Sequence, residues 1–149
     1  RLLEAKSSWL EKHLKMMKER IETEKQKQPA PKFTQEEIHL LANQALAVIP
    51  ERAAYYAPIV GVQYGRIRIK NLISRWGSCS RKGNLNFNCL LMLTPSEVID
   101  YVVVHELCHL RQPNHSKKFW NEVARILPDY EAPKKWLKDN GSALIKRLR

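Results

Sequence analysis

The chain has 149 residues, enough for one domain with a real core and too few for two ordinary ones. Its composition, 44% apolar and 28% charged, is that of a soluble globular protein, and no apolar run reaches the roughly 18 residues a membrane span needs. The formal net charge is +11, with seven Lys/Arg and no Asp or Glu between Arg52 and Ser96, a stretch suited to anionic partners such as nucleotides, nucleic acid or acidic protein segments.

The three cysteines, Cys79, Cys89 and Cys108, have no regular spacing. They predict no disulfide framework and no zinc ribbon, and they favour a reducing compartment, the cytoplasm. The chain starts at Arg1 and not at Met, which suggests a fragment.

In chain order, Leu3, Leu10, Leu14, Met17 and Ile21 recur at helical spacing and predict an amphipathic helix over about residues 2–27. Gln28-Pro29-Ala30-Pro31 breaks it, so 1–27 reads as a helical linker and 33–149 as the domain proper. Thr34 followed by Glu37 is a capping box that starts the next helix, with Pro50 expected to kink it or to restart it as far as Tyr56. Ile67 and Ile69 alternate with basic residues, and Leu85, Phe87 and Cys89 alternate with asparagines, on either side of a turn at Arg81-Lys82-Gly83-Asn84. These segments predict a small antiparallel sheet. Thr94-Pro95-Ser96-Glu97 has the chemistry of a helix start, and that helix should run to about Arg111 before Pro113. A further helix is expected over Ser116–Leu127, and a last one after Tyr130 interrupted at Gly141. The whole is an α+β chain, mostly helical.

The chemistry lies in His105-Glu106-Leu107-Cys108-His109, the pattern H-E-x-x-H. Residues four apart share a helix face, so both imidazoles can reach one ion, with Glu106 beside it to take a proton from water. The helix is apolar nearly all round and should be buried, where unpartnered histidines and a glutamate would be costly; a metal is the natural partner. Catalytic zinc commonly takes three protein ligands. His115, after the Pro113 break, is the leading third candidate, with Glu122 and then Glu131 as rivals; if His115 binds, Glu122 becomes a supporting partner. The ten-residue separation of His105 and His115 matches the metzincin spacing, but Gln112 stands where that pattern has glycine, and no methionine follows His109.

Tyr130 and Arg75 are candidates to stabilise an oxyanion. Asn86 and Asn88 would face substrate if Leu85–Leu91 were the sheet edge to which a peptide adds. Trp76 and Trp120 read as core anchors, and Cys108 as a buried, non-catalytic thiol.

Several motifs occur together: Arg75-Trp76-Gly77-Ser78-Cys79, Leu85-Asn86-Phe87-Asn88, Tyr101 to His109, His115-Ser116-Lys117-Lys118-Phe119-Trp120 and Pro128-Asp129-Tyr130. In combination they resemble the YgjP-like metallopeptidase domain family, related to the SprT-like and WLM metallopeptidases. The resemblance covers most of the chain. It implies a zincin-like domain with its small sheet beside the active-site helix, zinc on His105, His109 and His115, and Glu106 as base. Family members usually carry a β-rich region ahead of the first helix, which fits the expectation of a fragment.

The function expected is a zinc-dependent hydrolase acting on peptide or protein. One alternative keeps the site and cleaves a nucleotide phosphoanhydride held by the acid-free basic stretch. Another is a non-catalytic basic module that binds nucleic acid or protein and shows salt-sensitive binding.

Overall fold

The computed structural model describes residues 11–18 and 31–148. Residues 11–18 are helical (α1), and the remainder of the helix expected over 2–27 lies outside the described residues. Met17 is buried in the core, and Lys18 donates from Nζ to the Thr94 carbonyl at 3.2 Å.

Helix α2 spans Gln35–Val60. Its start is the capping box: Glu37 N–H donates to Thr34 Oγ1, and Thr34 N–H to Glu37 Oε1, each at 3.0 Å. The helix neither restarts at Pro50 nor stops at Tyr56, but carries Pro50 and Pro58 inside it to Val60. An interior proline removes a backbone hydrogen bond and costs about 3 kcal/mol. Here Leu41, Ala45, Ile49, Ala53, Ala57 and Val60 form one buried stripe running past Pro50, and that packing holds the helix together. Gly61, with φ 84°, ends α2 by donating its N–H to the Ala57 carbonyl at 2.8 Å.

Three short strands follow, β1 (Ile67–Lys70), β2 (Gly77–Cys79) and β3 (Leu85–Asn88), in the order β1-β3-β2. The sheet is mixed, not antiparallel: β1 runs parallel to β3 (Ile67 beside Leu85), while β2 is antiparallel to it (Ser78 beside Asn86). Burial explains the order. Leu85 and Phe87 are both fully buried, so β3 takes the centre, and β1 with Arg68 and Lys70 is left at an edge, where charge is tolerated. The expected edge at Leu85–Leu91 is therefore corrected. The strand ends at Asn88, and Cys89–Leu93 form a buried 3-10 helix. Asn88 does not face substrate; it donates to the carbonyls of Leu72 (2.8 Å) and Arg75 (3.1 Å) and pins the crossover from β1 to β2. Asn86 is spent on Ser78 Oγ at 3.1 Å.

Helix α3 (Ser96–His109) is the central element, packed against α2, β2, α4 and α5. Thr94 does not cap it: its hydroxyl donates back to the Leu91 carbonyl at 2.7 Å, closing the 3-10 helix. Helix α4 (Lys117–Ile126) is capped by Ser116, whose Oγ accepts from Phe119 N–H at 3.4 Å. Helix α5 (Glu131–Lys146) runs through Gly141 without interruption. A Cβ at Gly141 would lie 2.9 Å from Trp76 Nε1, so this glycine serves a close approach of the indole, not a helix break. Among the described residues, no helix is long and apolar enough to cross a membrane.

Candidate metal centre

Helix α3 delivers His105 and His109 from one face, since four residues make about one turn. Around them Val102, Val103, Val104, Leu107 and Cys108 are all buried, so the helix cannot turn without breaking the core. His115 arrives from the exposed loop that follows Pro113, one residue before the Ser116 cap of α4. Its Nε2 lies 3.0 Å from His109 Nε2 and 3.2 Å from His105 Nε2, and the three donor atoms lie within 4.8 Å of one another.

Whether a cation fits depends on which nitrogens carry protons. His109 Nδ1 sits 3.1 Å from the Gln112 carbonyl oxygen, which only accepts, so the proton is on Nδ1. His105 Nδ1 sits 3.0 Å from the Glu106 carboxylate, with the same consequence. Both Nε2 atoms are left with lone pairs aimed at a common point. Burial, followed by the neighbouring imidazoles, holds His115 below the ordinary histidine range, and burial is also the main cause for His109; both therefore favour the neutral, ligating form. Tetrahedral zinc with bonds of about 2.0–2.1 Å would set its nitrogens about 3.3 Å apart, close to the two separations found. The residues fit such an ion.

Rings from α4 back the imidazoles. Phe119 is fully buried and stacks on His109 with centroids 4.4 Å apart, and Trp120 stacks on His115 at 5.8 Å. Tyr130 stacks in turn on Trp120 at 5.4 Å, one layer behind His115, with its hydroxyl raised chiefly by a hydrogen bond to Glu131.

Glu106 is buried at 4% exposure, against β2. A Cβ on Gly77 would come within 3.1 Å of its Cγ and Oε2, so the absence of a side chain there gives the carboxylate its room. A cavity of about 600 Å³ opens over this group. One wall is Arg75 with Gly77–Arg81, the floor is His105, Glu106, His109 and Leu110, and Pro113 and His115 complete it.

Of the residues singled out in the sequence, the fold brings together His105, Glu106, His109, His115 and Arg75, and sets Tyr130 outside the cavity lining. Glu122 is no ligand: it pairs with Arg125 at 2.9 Å and lies 3.9 Å from Arg111. Glu131 is likewise outside the imidazole cluster. Burial pushes the Cys108 thiol up to about 12, so it stays protonated. The sequence reading missed Gly77, Phe119 and the contact between Trp120 and His115. The only signal for Gly77 was its place in the Arg75-to-Cys79 run.

An apolar helix that presents two imidazoles and a buried carboxylate to an open cavity, with a third imidazole brought in by the loop after it, is the layout of a metallopeptidase-type domain. The YgjP-like metallopeptidase domain matches residues 31–140, and the chain belongs to that family. Membership implies a divalent metal, and among the described residues the three imidazoles are the group able to hold one. Two solved structures share the fold. The metallopeptidase zymogen of Pyrococcus abyssi, abylysin, is 23% identical, with a TM-score of 0.55 over 62% of this chain and 94% of its own. The metallopeptidase zymogen of Methanocaldococcus jannaschii, jannalysin, is 24% identical, with a TM-score of 0.52 over 60% and 91%. No curated protein matches the chain.

Proposed function

We propose that the chain is a zincin-like, zinc-dependent metallopeptidase, with zinc held by His105, His109 and His115. The observation that carries this reading is the convergence of three Nε2 atoms beside a buried glutamate under an open cavity. Bound zinc supplies a Lewis acid that polarises a carbonyl and acidifies water. Glu106 takes the proton from the attacking water and passes it to the leaving amine nitrogen. Its burial beside Gly77 leaves the carboxylate little freedom to swing away.

Peptide is the substrate class that β2 suits. Trp76 O accepts from Asn88 N–H and Ser80 N–H donates to Asn84 O, so Ser78 between them also points its backbone groups at β3. The N–H and C=O of Gly77 and Cys79 point the other way, along a free edge that lines the cavity. An extended substrate adds there as a further strand. Arg75, on the same wall, is better placed than Tyr130 to meet a developing oxyanion.

Elemental mass spectrometry of the native chain and of His115→Ala comes first. About one zinc per chain, diminished in the variant, is the expected result. Cleavage of a peptide library by zinc-loaded protein, lost in Glu106→Gln, then tests the reaction. Glu106-dependent release of phosphate from nucleoside triphosphates, with no peptide cut, would overturn the peptidase reading.

A further inference from the structure

The wall of the cavity carries more positive charge than one developing oxyanion needs. Arg75 and Arg81 flank β2, two residues before Gly77 and two after Cys79, and both line the cavity and are exposed. Neither forms an ion pair or side-chain hydrogen bond among the described residues. Glu106 is the lone carboxylate in the lining, and it is turned into the floor beside His105 and Gly77. The imbalance extends beyond the cavity, since no Asp or Glu occurs between Arg52 and Ser96. Arg66 and Arg68, beside and on the outer strand β1, are likewise exposed and without an ion pair or side-chain hydrogen bond among the described residues, whereas Arg52 is matched by Asp100 at 3.0 Å and Arg125 by Glu122 at 2.9 Å. Of these unpaired guanidiniums, those of Arg75 and Arg81 are the two that line the cavity and bracket the free edge of β2.

We propose that Arg75 and Arg81 form anionic subsites at the two ends of the β2 edge, so that the preferred substrates are extended peptides with Asp or Glu on both sides of the bond cut. This rests on the metallopeptidase reading above and names its substrate class. A strand advances about 3.3 Å per residue, so a peptide paired along β2 reaches each arginine within two to four residues of the point opposite Gly77. A guanidinium offers a planar fork that meets a carboxylate in two hydrogen bonds. A peptide fits this wall better than a nucleic acid does. The edge offers backbone N–H and C=O groups at Gly77 and Cys79, whereas the lining has no Phe, Tyr or Trp on which a base would stack.

The test uses the zinc-loaded chain and peptides of one backbone sequence that carry Asp/Glu, Asn/Gln or Lys around the scissile bond. Binding is measured in the Glu106→Gln background, so the readout does not depend on turnover. The acidic peptide should bind most tightly, with an advantage of about fivefold per arginine that shrinks as salt rises. Arg75→Gln and Arg81→Gln should each remove their share, and Arg81→Lys should restore part of it. In the catalytic background, Arg81→Gln should lower kcat/KM for the acidic peptide and leave the neutral one unchanged. Equal binding of acidic and neutral peptides at low salt would overturn the proposal, as would a preference that survives both substitutions. Tighter binding of a single-stranded oligonucleotide of equal charge would also overturn it. If the acidic preference is found while no peptide is cut, the peptidase reading fails and the anionic subsites stand.

Discussion

The floor and the rim of the cavity are built by different means. His105 and His109 stand on a helix whose flanking residues are fully or nearly fully buried, so their positions are fixed by the core itself. His115 stands in an exposed loop and is placed by local devices: the Ser116 cap just after it and the Trp120 ring against it. The difference teaches that two of the three proposed metal donors inherit the stability of the fold, while the third depends on contacts that a single substitution can remove.

The largest effect tests the floor's chemistry. Glu106→Gln should lower turnover on the order of 10²–10⁴-fold while zinc content is unchanged, as read by peptide cleavage and elemental analysis in parallel. Next comes the contrast itself. Leu107→Ala, beneath the floor, should cost about 2–5 kcal/mol in urea unfolding and weaken the whole site with it. His115→Ala should lose zinc yet unfold like the native apo chain; a large loss of stability would show that the rim is part of the core after all.

A smaller effect is expected where the wall meets the floor. Gly77→Ala places a methyl 3.1 Å from Glu106 Oε2 and should push the carboxylate aside. A misplacement of about 1 Å costs up to about 100-fold in rate, with zinc retained. Trp120→Ala should weaken zinc binding about 10–100-fold by freeing His115, and Trp120→Phe should recover much of it in a chelator titration. Smallest is Thr34→Ala, which breaks the capping box of α2 far from the cavity. It should cost about 1 kcal/mol of stability and leave zinc affinity and cleavage untouched.

What the sequence disclosed follows the range of the interactions. The capping box at Thr34 and the cap at Ser116 are local in the chain, and both are formed. The i,i+4 spacing of His105 and His109 is equally local, so a shared face could be read directly. Thr94 misled because a nearer carbonyl, that of Leu91, takes its hydroxyl. Gly141 and Pro50 misled because the local preference is overridden by packing, of Trp76 in one case and of the α2 stripe in the other. The parallel pairing of β1 with β3 was hidden because it depends on which strand is most buried, not on the turn beside it. The approach of His115 to within 3.2 Å of the other two rings depends on the path of the loop after Pro113, which spacing alone does not give.

The cavity wall comes from one short segment, Arg75 and Gly77–Arg81, whereas the floor and His115 come from later parts of the chain. On the proposed reading, most of substrate recognition and most of the reaction machinery are thereby written in separate passages of the sequence. On this geometry the wall is an exchangeable cassette. With Gly77 kept for the carboxylate behind it and Trp76 for its packing on Gly141, the exposed positions can be rewritten to direct the same machinery at a different peptide.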